Sequence, residues 1–107
     1  MAKVFGIQIV ELRPGVKAKD FEEFVIEELY PHTEEGFELY LAKGDKGERV
    51  GKYVLLFAFD SVEARNRIWG PPGGPAREWS EADRELMAKY GTFVTTSHLG
   101  DYVVLGK

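Results

Sequence analysis

His98 stands three residues before Asp101 and close to Tyr102 in the C-terminal stretch of the chain. An imidazole titrates near neutral pH, and a carboxylate that orients it turns it into a general base. The competing reading is a solvent-facing or structural histidine at a strand end, because a spacing of three across Gly100 does not by itself bring the two side chains together. Gln8 is the second candidate. It interrupts an apolar strand face, where a buried amide needs partners. It serves either to polarise a ligand oxygen or simply to bond neighbouring backbone. His98 as base and Gln8 as polarising group are the catalytic candidates.

The aromatic residues point to a pocket. Tyr40, Tyr53, Trp69, Trp79 and Tyr102 each join apolar area to one hydrogen-bonding tip, and they are the expected ligand-binding set. Trp69 and Trp79 bracket the loop GPPGGP at 70–75. That loop either forms a lid over a cavity lined by both rings, or the rings pack the ends of a split helix against a sheet. The loop is not a phosphate cradle: no Gly-Lys-Ser/Thr follows, and prolines remove the amide donors such a loop needs. His32 follows the helix stop Tyr30-Pro31 and precedes Thr33, Glu34 and Glu35, where the helix dipole favours its protonated ring. No recognised metal-ligand spacing surrounds it, and with two histidines and no cysteine a metal centre would need several carboxylates. No metal and no cofactor are expected.

Composition narrows the classes further. Absence of cysteine excludes disulfides, thiolate catalysis and Cys-ligated zinc or iron–sulfur sites. The formal net charge of −4, with no basic stripe interleaved with aromatics, argues against nucleic acid as a partner. The acidic run Glu22-Glu23…Glu27-Glu28 reads as the solvated face of a helix. Neither a signal peptide nor a run of ~20 apolar residues long enough for a membrane helix is seen, so a cytoplasmic location without membrane attachment is the expectation.

These side chains must be held by elements, and 50–69, VGKYVLLFAFDSVEARNRIW, organises them. Its first half carries Tyr53, Leu55, Phe57 and Phe59 on one face and Val50, Val54, Leu56 and Ala58 on the other, so it is a strand apolar on both sides. Asp60 offers an N-cap with Glu63 three residues on, and Val62, Ala64, Arg65, Ile68 and Trp69 cluster on one side of the helix that follows. Residues 4–12 form another strand, with Phe5, Ile7 and Ile9 facing one way and Val4, Val10 and Leu12 the other. Phe21, Phe24, Val25 and Leu29 make a helical stripe over 18–30, ended by Pro31. Residues 36–43 alternate as a strand, and 44–47 is a turn by composition. Ser80 caps a further helical pattern through Tyr90, and 92–105 is strand-like with a bulge or turn at Gly100-Asp101.

The 107 residues therefore form one domain of order β-α-β-β-α-β, an α+β ferredoxin-like sandwich whose antiparallel sheet carries its helices on one face. Two strands are apolar on both sides, and the chain supplies helices for one side alone. A second copy of the same sheet meeting it about a two-fold axis is the cheapest cover, so the protein is expected to be a homodimer.

That pattern resembles the dimeric α/β-barrel superfamily, which includes the antibiotic-biosynthesis-monooxygenase, stress-responsive barrel, NIPSNAP-like and EthD-like families. The resemblance is carried by Glu11-Leu12-Arg13-Pro14-Gly15…Asp20-Phe21-Glu22-Glu23-Phe24 and by Phe57-Ala58-Phe59-Asp60-Ser61-Val62-Glu63-Ala64. It implies a ligand pocket between sheet and helices and reactions such as cofactor-free oxygenation, isomerisation, decarboxylation or haem degradation. Haem-degrading members place an amide on their first strand, as Gln8 is placed here, but also a histidine on the helix before the last strand. This chain has none between Ser80 and Tyr90, which argues against haem. The function implied is binding of a small, partly apolar organic ligand, with cofactor-free monooxygenase- or isomerase-type chemistry; the alternative is a non-catalytic dimeric stress-related or accessory module.

Overall fold

Side-chain alternation and helical periodicity partition the chain into four strands and three α-helices, and the computed structural model describes residues 2–74 and 78–106 of them. In order these are β1 (Val4–Leu12), α1 (Ala18–Phe24), β2 (Phe37–Lys43), β3 (Tyr53–Phe59), α2 (Val62–Ile68), α3 (Glu81–Phe93) and β4 (Val94–Val103). The strands form one antiparallel sheet in the spatial order β2-β3-β1-β4. The architecture is α+β. Among the described residues no helix is long and apolar enough to cross a membrane.

β1 and β3 are central, which explains their two apolar faces. On the helix side, Val4, Val10, Leu55, Phe57 and Phe59 meet Phe21, Phe24 and Val25 of the first helix and Ile68 of α2, and all of these are buried. Phe21 stands edge-on to Tyr53 at 5.4 Å between ring centroids, and Phe24 stacks on Phe93 at 4.9 Å, geometries that add to simple area burial.

Several boundaries differ from the sequence expectation, each for a local reason. The helix expected over 18–30 stays α-helical only to Phe24; Val25–Leu29 widens into a π turn and Tyr30–His32 tightens into a 3-10 turn. Pro31 lies inside that last turn and has no N–H to continue an α ladder. The cap of α2 is Ser61, not Asp60: the Ser61 hydroxyl accepts the Ala64 amide at 3.0 Å, while Asp60 is exposed. β3 begins at Tyr53 rather than at Val50, because 44–52 folds into a longer loop at whose base Gly44 and Val50 form an isolated bridge. α3 continues past Tyr90 to Phe93.

The break expected near Gly100 is a β-bulge. Ile7 is paired with Gly100 and Gln8 with His98, leaving Leu99 as an extra residue on β4. In a regular strand, residues three apart face opposite sides. One extra residue restores them to the same side.

Candidate functional site

Between sheet and helices lies a cavity of about 540 Å³. Alternation places Gln8, Leu39, Leu55, Phe57 and Thr96, one or two from each strand, on its floor. The roof comes from Leu29 of the π turn, Ile68 and Trp69 at the end of α2, and Leu86, Met87 and Tyr90 of α3. A π turn holds one more residue per hydrogen-bonded ring than an α turn and often occurs at functional sites; here it carries Leu29 to the cavity wall.

The two tryptophans both line this cavity. Phe57 stands edge-on to Trp69 at 5.2 Å, and Trp69 edge-on to Trp79 at 5.4 Å. They therefore pack on each other and also face open volume. The expected lid at 70–75 is described only through Gly74; its last residue lies outside the described residues.

Polar groups are few and specifically placed. Gln8 reaches the cavity floor, and none of the side-chain hydrogen bonds among the described residues uses its amide. Tyr90 is 7% exposed; its hydroxyl has no hydrogen-bond partner among the described residues, and burial pushes its pKa up. At the cavity margin His32 Nε2 bonds the Asp83 carboxylate, which also accepts the Ser80 amide and so completes the capping box of α3. The His32 ring beside it, helped by Ser80, holds the Asp83 carboxyl below the usual range. Lys89 Nζ to Glu28 Oε2, at 2.7 Å, ties the same two helical segments a second time. Because His32 is engaged in this way, its structural role is to clamp α3 against the first helix. Among the described residues no three His, Asp or Glu side chains are grouped to hold a metal ion.

A second cavity, of about 710 Å³, adjoins the first along Gln8, Phe57 and Trp69. His98 and Asp101 of β4 and Arg65 of α2 form its polar wall. Arg65 Nη1 donates to Asp101 Oδ2 at 2.7 Å, and the other carboxylate oxygen, Oδ1, lies 3.2 Å from His98 Nε2. Arg65 is 7% exposed and its Nε is held by Asn66 Oδ1 at 2.9 Å. The imidazole is the outer member, with its side chain 55% exposed.

Of the residues singled out in the sequence, Gln8, Trp69, Trp79 and His98 gather around these two cavities, and the tyrosines do not. Tyr53 shares the helix-side face but lies beyond the cavity, its hydroxyl on the Glu22 carboxylate. Tyr40 and Tyr102 point from the opposite face, 46% and 52% exposed, and Tyr40 bonds Glu38 two residues away. Sequence reasoning missed Arg65, Asp83 and Tyr90. For Arg65 a signal existed: a charged residue on the apolar line of a helix needs a buried partner. No family model, curated protein or solved structure matches the chain, so the chemistry of the site has to follow from these residues.

Proposed function

We propose that the protein binds a small, partly apolar organic molecule in the cavity between sheet and helices, and does so as a homodimer. The observation that carries this reading is the cavity itself. Its volume of about 540 Å³ falls in the range of roughly 300–1,000 Å³ usual for ligand sites, and it has the usual make-up of apolar walls with a few convergent polar groups. An amide left without a protein partner on such a floor is suited to a ligand oxygen.

The strand order β2-β3-β1-β4, with a helical crossover between β1 and β2 and another between β3 and β4, supports a ferredoxin-like arrangement and with it the dimeric α/β-barrel resemblance. Dimer formation is supported by the sheet face opposite the helices, where Phe5, Ile7, Ile9, Val54 and Leu56 form a continuous patch and none is fully buried. A cofactor-free enzyme of monooxygenase or isomerase type requires a proton acceptor at the ligand, and His98 at the wall of the adjoining cavity favours that version over a non-catalytic accessory module.

Native mass spectrometry of the freshly purified protein tests both parts together. The expected result is a dimer with extra mass that denaturation releases. A bare dimer shifts weight to the accessory module, and a monomer removes the sheet-to-sheet assembly.

A further inference from the structure

Four separate features converge on the Asp101 carboxylate. The bulge at Leu99 turns Asp101 and His98 to the same face of β4. Gly100 beside it takes φ 152°, a backbone conformation that suits glycine. Gly6 lies inside β1, where a glycine weakens a strand unless something must come close. A Cβ built there would meet Asp101 Oδ1 at 2.9 Å, so the glycine is what makes room for the carboxylate over the sheet. Finally, the buried Arg65 fixes Oδ2, leaving Oδ1 for the imidazole. An Arg–Asp pair that only tied α2 to β4 would need neither the histidine on that face nor Oδ1 turned toward it.

Resting on the ligand-binding reading above, we infer that the two cavities work as one site, in which His98, oriented by Asp101 and Arg65, takes the proton of a neutral, weakly acidic hydroxyl on a ring-bearing apolar ligand. Asp101 Oδ1 lies 3.2 Å from Nε2 and favours the proton on that nitrogen, which leaves Nδ1 as the basic one. The ligand's O–H bond breaks, the proton bonds to Nδ1, and the electron pair stays on the ligand oxygen, where the Gln8 amide can donate to it. The resulting anion is paired with imidazolium. The acid must be neutral on entry, because Arg65 is the one cation among the described residues of the second cavity and Asp101 already matches its charge. The ring belongs in the first cavity, against the edge-on rings of Phe57, Trp69 and Trp79. In this arrangement His98 is the catalytic residue, while Asp101 and Arg65 are positioning residues.

The test uses a nitronaphthol, whose anion absorbs in the visible, and naphthalene as an apolar control. Both are titrated into the intact protein, with tryptophan fluorescence reporting occupancy, at a pH where the free probe is protonated. The expected result is that the probe's anion band grows with occupancy in the wild type. His98→Ala should reduce the anion-to-neutral ratio of the bound probe roughly ten- to hundredfold, the worth of a hydrogen bond between charged groups, with naphthalene binding unchanged. Gly6→Ala, whose added methyl crowds Asp101 Oδ1 at 2.9 Å and meets Phe57 and Phe59 only at an ordinary 3.6 Å, should reduce the ratio in the same direction. A probe bound only in its neutral form, an anion band that survives His98→Ala, or naphthalene binding without nitronaphthol binding would each overturn the proton transfer and leave the cavity as a binding site. Failure of both compounds to bind would remove the binding reading itself.

Discussion

Tyr53 shows how one residue can look functional in sequence and prove structural in place. Its ring is 5% exposed and packs edge-on against Phe21, and its hydroxyl donates to the Glu22 carboxylate. Burial first, and then the hydrogen bond to Glu22, push its pKa up to about 12, while the same bond holds the Glu22 carboxyl below the usual range. A phenol whose folded pKa is raised stabilises the fold fully below its unfolded value of about 10, and the contribution is lost as pH rises toward the folded value. The protein should therefore lose stability between pH 10 and about 12, as read by urea unfolding at successive pH values. Tyr53→Phe should flatten the Tyr53 part of that loss and remove one late-titrating phenolate from the ultraviolet difference spectrum. An unchanged alkaline slope in the variant would show that the Glu22 bond does not carry it.

At the scale of elements, α2 matters out of proportion to its seven residues, because it carries both Arg65 and Trp69. A helix that short has little stability of its own and depends on its cap and its packing. The Ser61 hydroxyl is buried and holds the Ala64 amide at 3.0 Å, so Ser61→Ala should cost about 1 kcal/mol of stability. Asp60→Ala should stay within about 0.5 kcal/mol, as for an ordinary surface substitution; paired urea titrations decide. Both residues are good capping types at adjacent positions, which is why the sequence could place the start of α2 to within one residue but not assign its cap. The strands were legible for other reasons: 36–43 alternates with period two, while 4–12 and 53–59 are short runs rich in Val, Ile and Phe, too short and too apolar on both faces for a surface helix. The π turn at Val25–Leu29 was not, because Phe21, Phe24, Val25 and Leu29 fit an α stripe equally well. The site divides along the same line. Gln8 announced itself as a polar residue in an apolar strand, and His98 as an imidazole three residues before a carboxylate. The partnership of Arg65 with Asp101 spans 36 positions and exists only once β4 lies beside β1, and the side on which Asp101 faces depends on a single extra residue at Leu99.

At the scale of the whole molecule, the sheet has one face under helices and one without them. Rows of paired residues cross that second face: Tyr40, Leu56 and Ile7 in one, Ala42, Val54 and Ile9 in the next, Glu38, Ala58, Phe5 and Tyr102 in a third. Tyr40, Leu99 and Tyr102 are about half exposed, and side chains of that size in adjoining rows are unusual on a surface that stays in water. A charge at the centre of the patch separates the two alternatives. On a sheet face that remains solvated, Leu56→Lys is a surface substitution worth no more than about 0.5 kcal/mol, and the subunit count would not change. Across a two-fold interface the same change enters twice, burying two ammonium groups in an apolar patch whose carboxylate in these rows, Glu38, already accepts from Tyr40, and the removal of buried charges from water costs several kcal/mol. The expected outcome is that Leu56→Lys converts a dimer to a monomer in sedimentation velocity at micromolar concentration, while far-ultraviolet circular dichroism of the monomer stays that of the folded sheet. Because the cavities lie on the other side of the sheet, the monomer should still bind naphthalene. Loss of binding together with dissociation would mean that the second copy helps to shape the site.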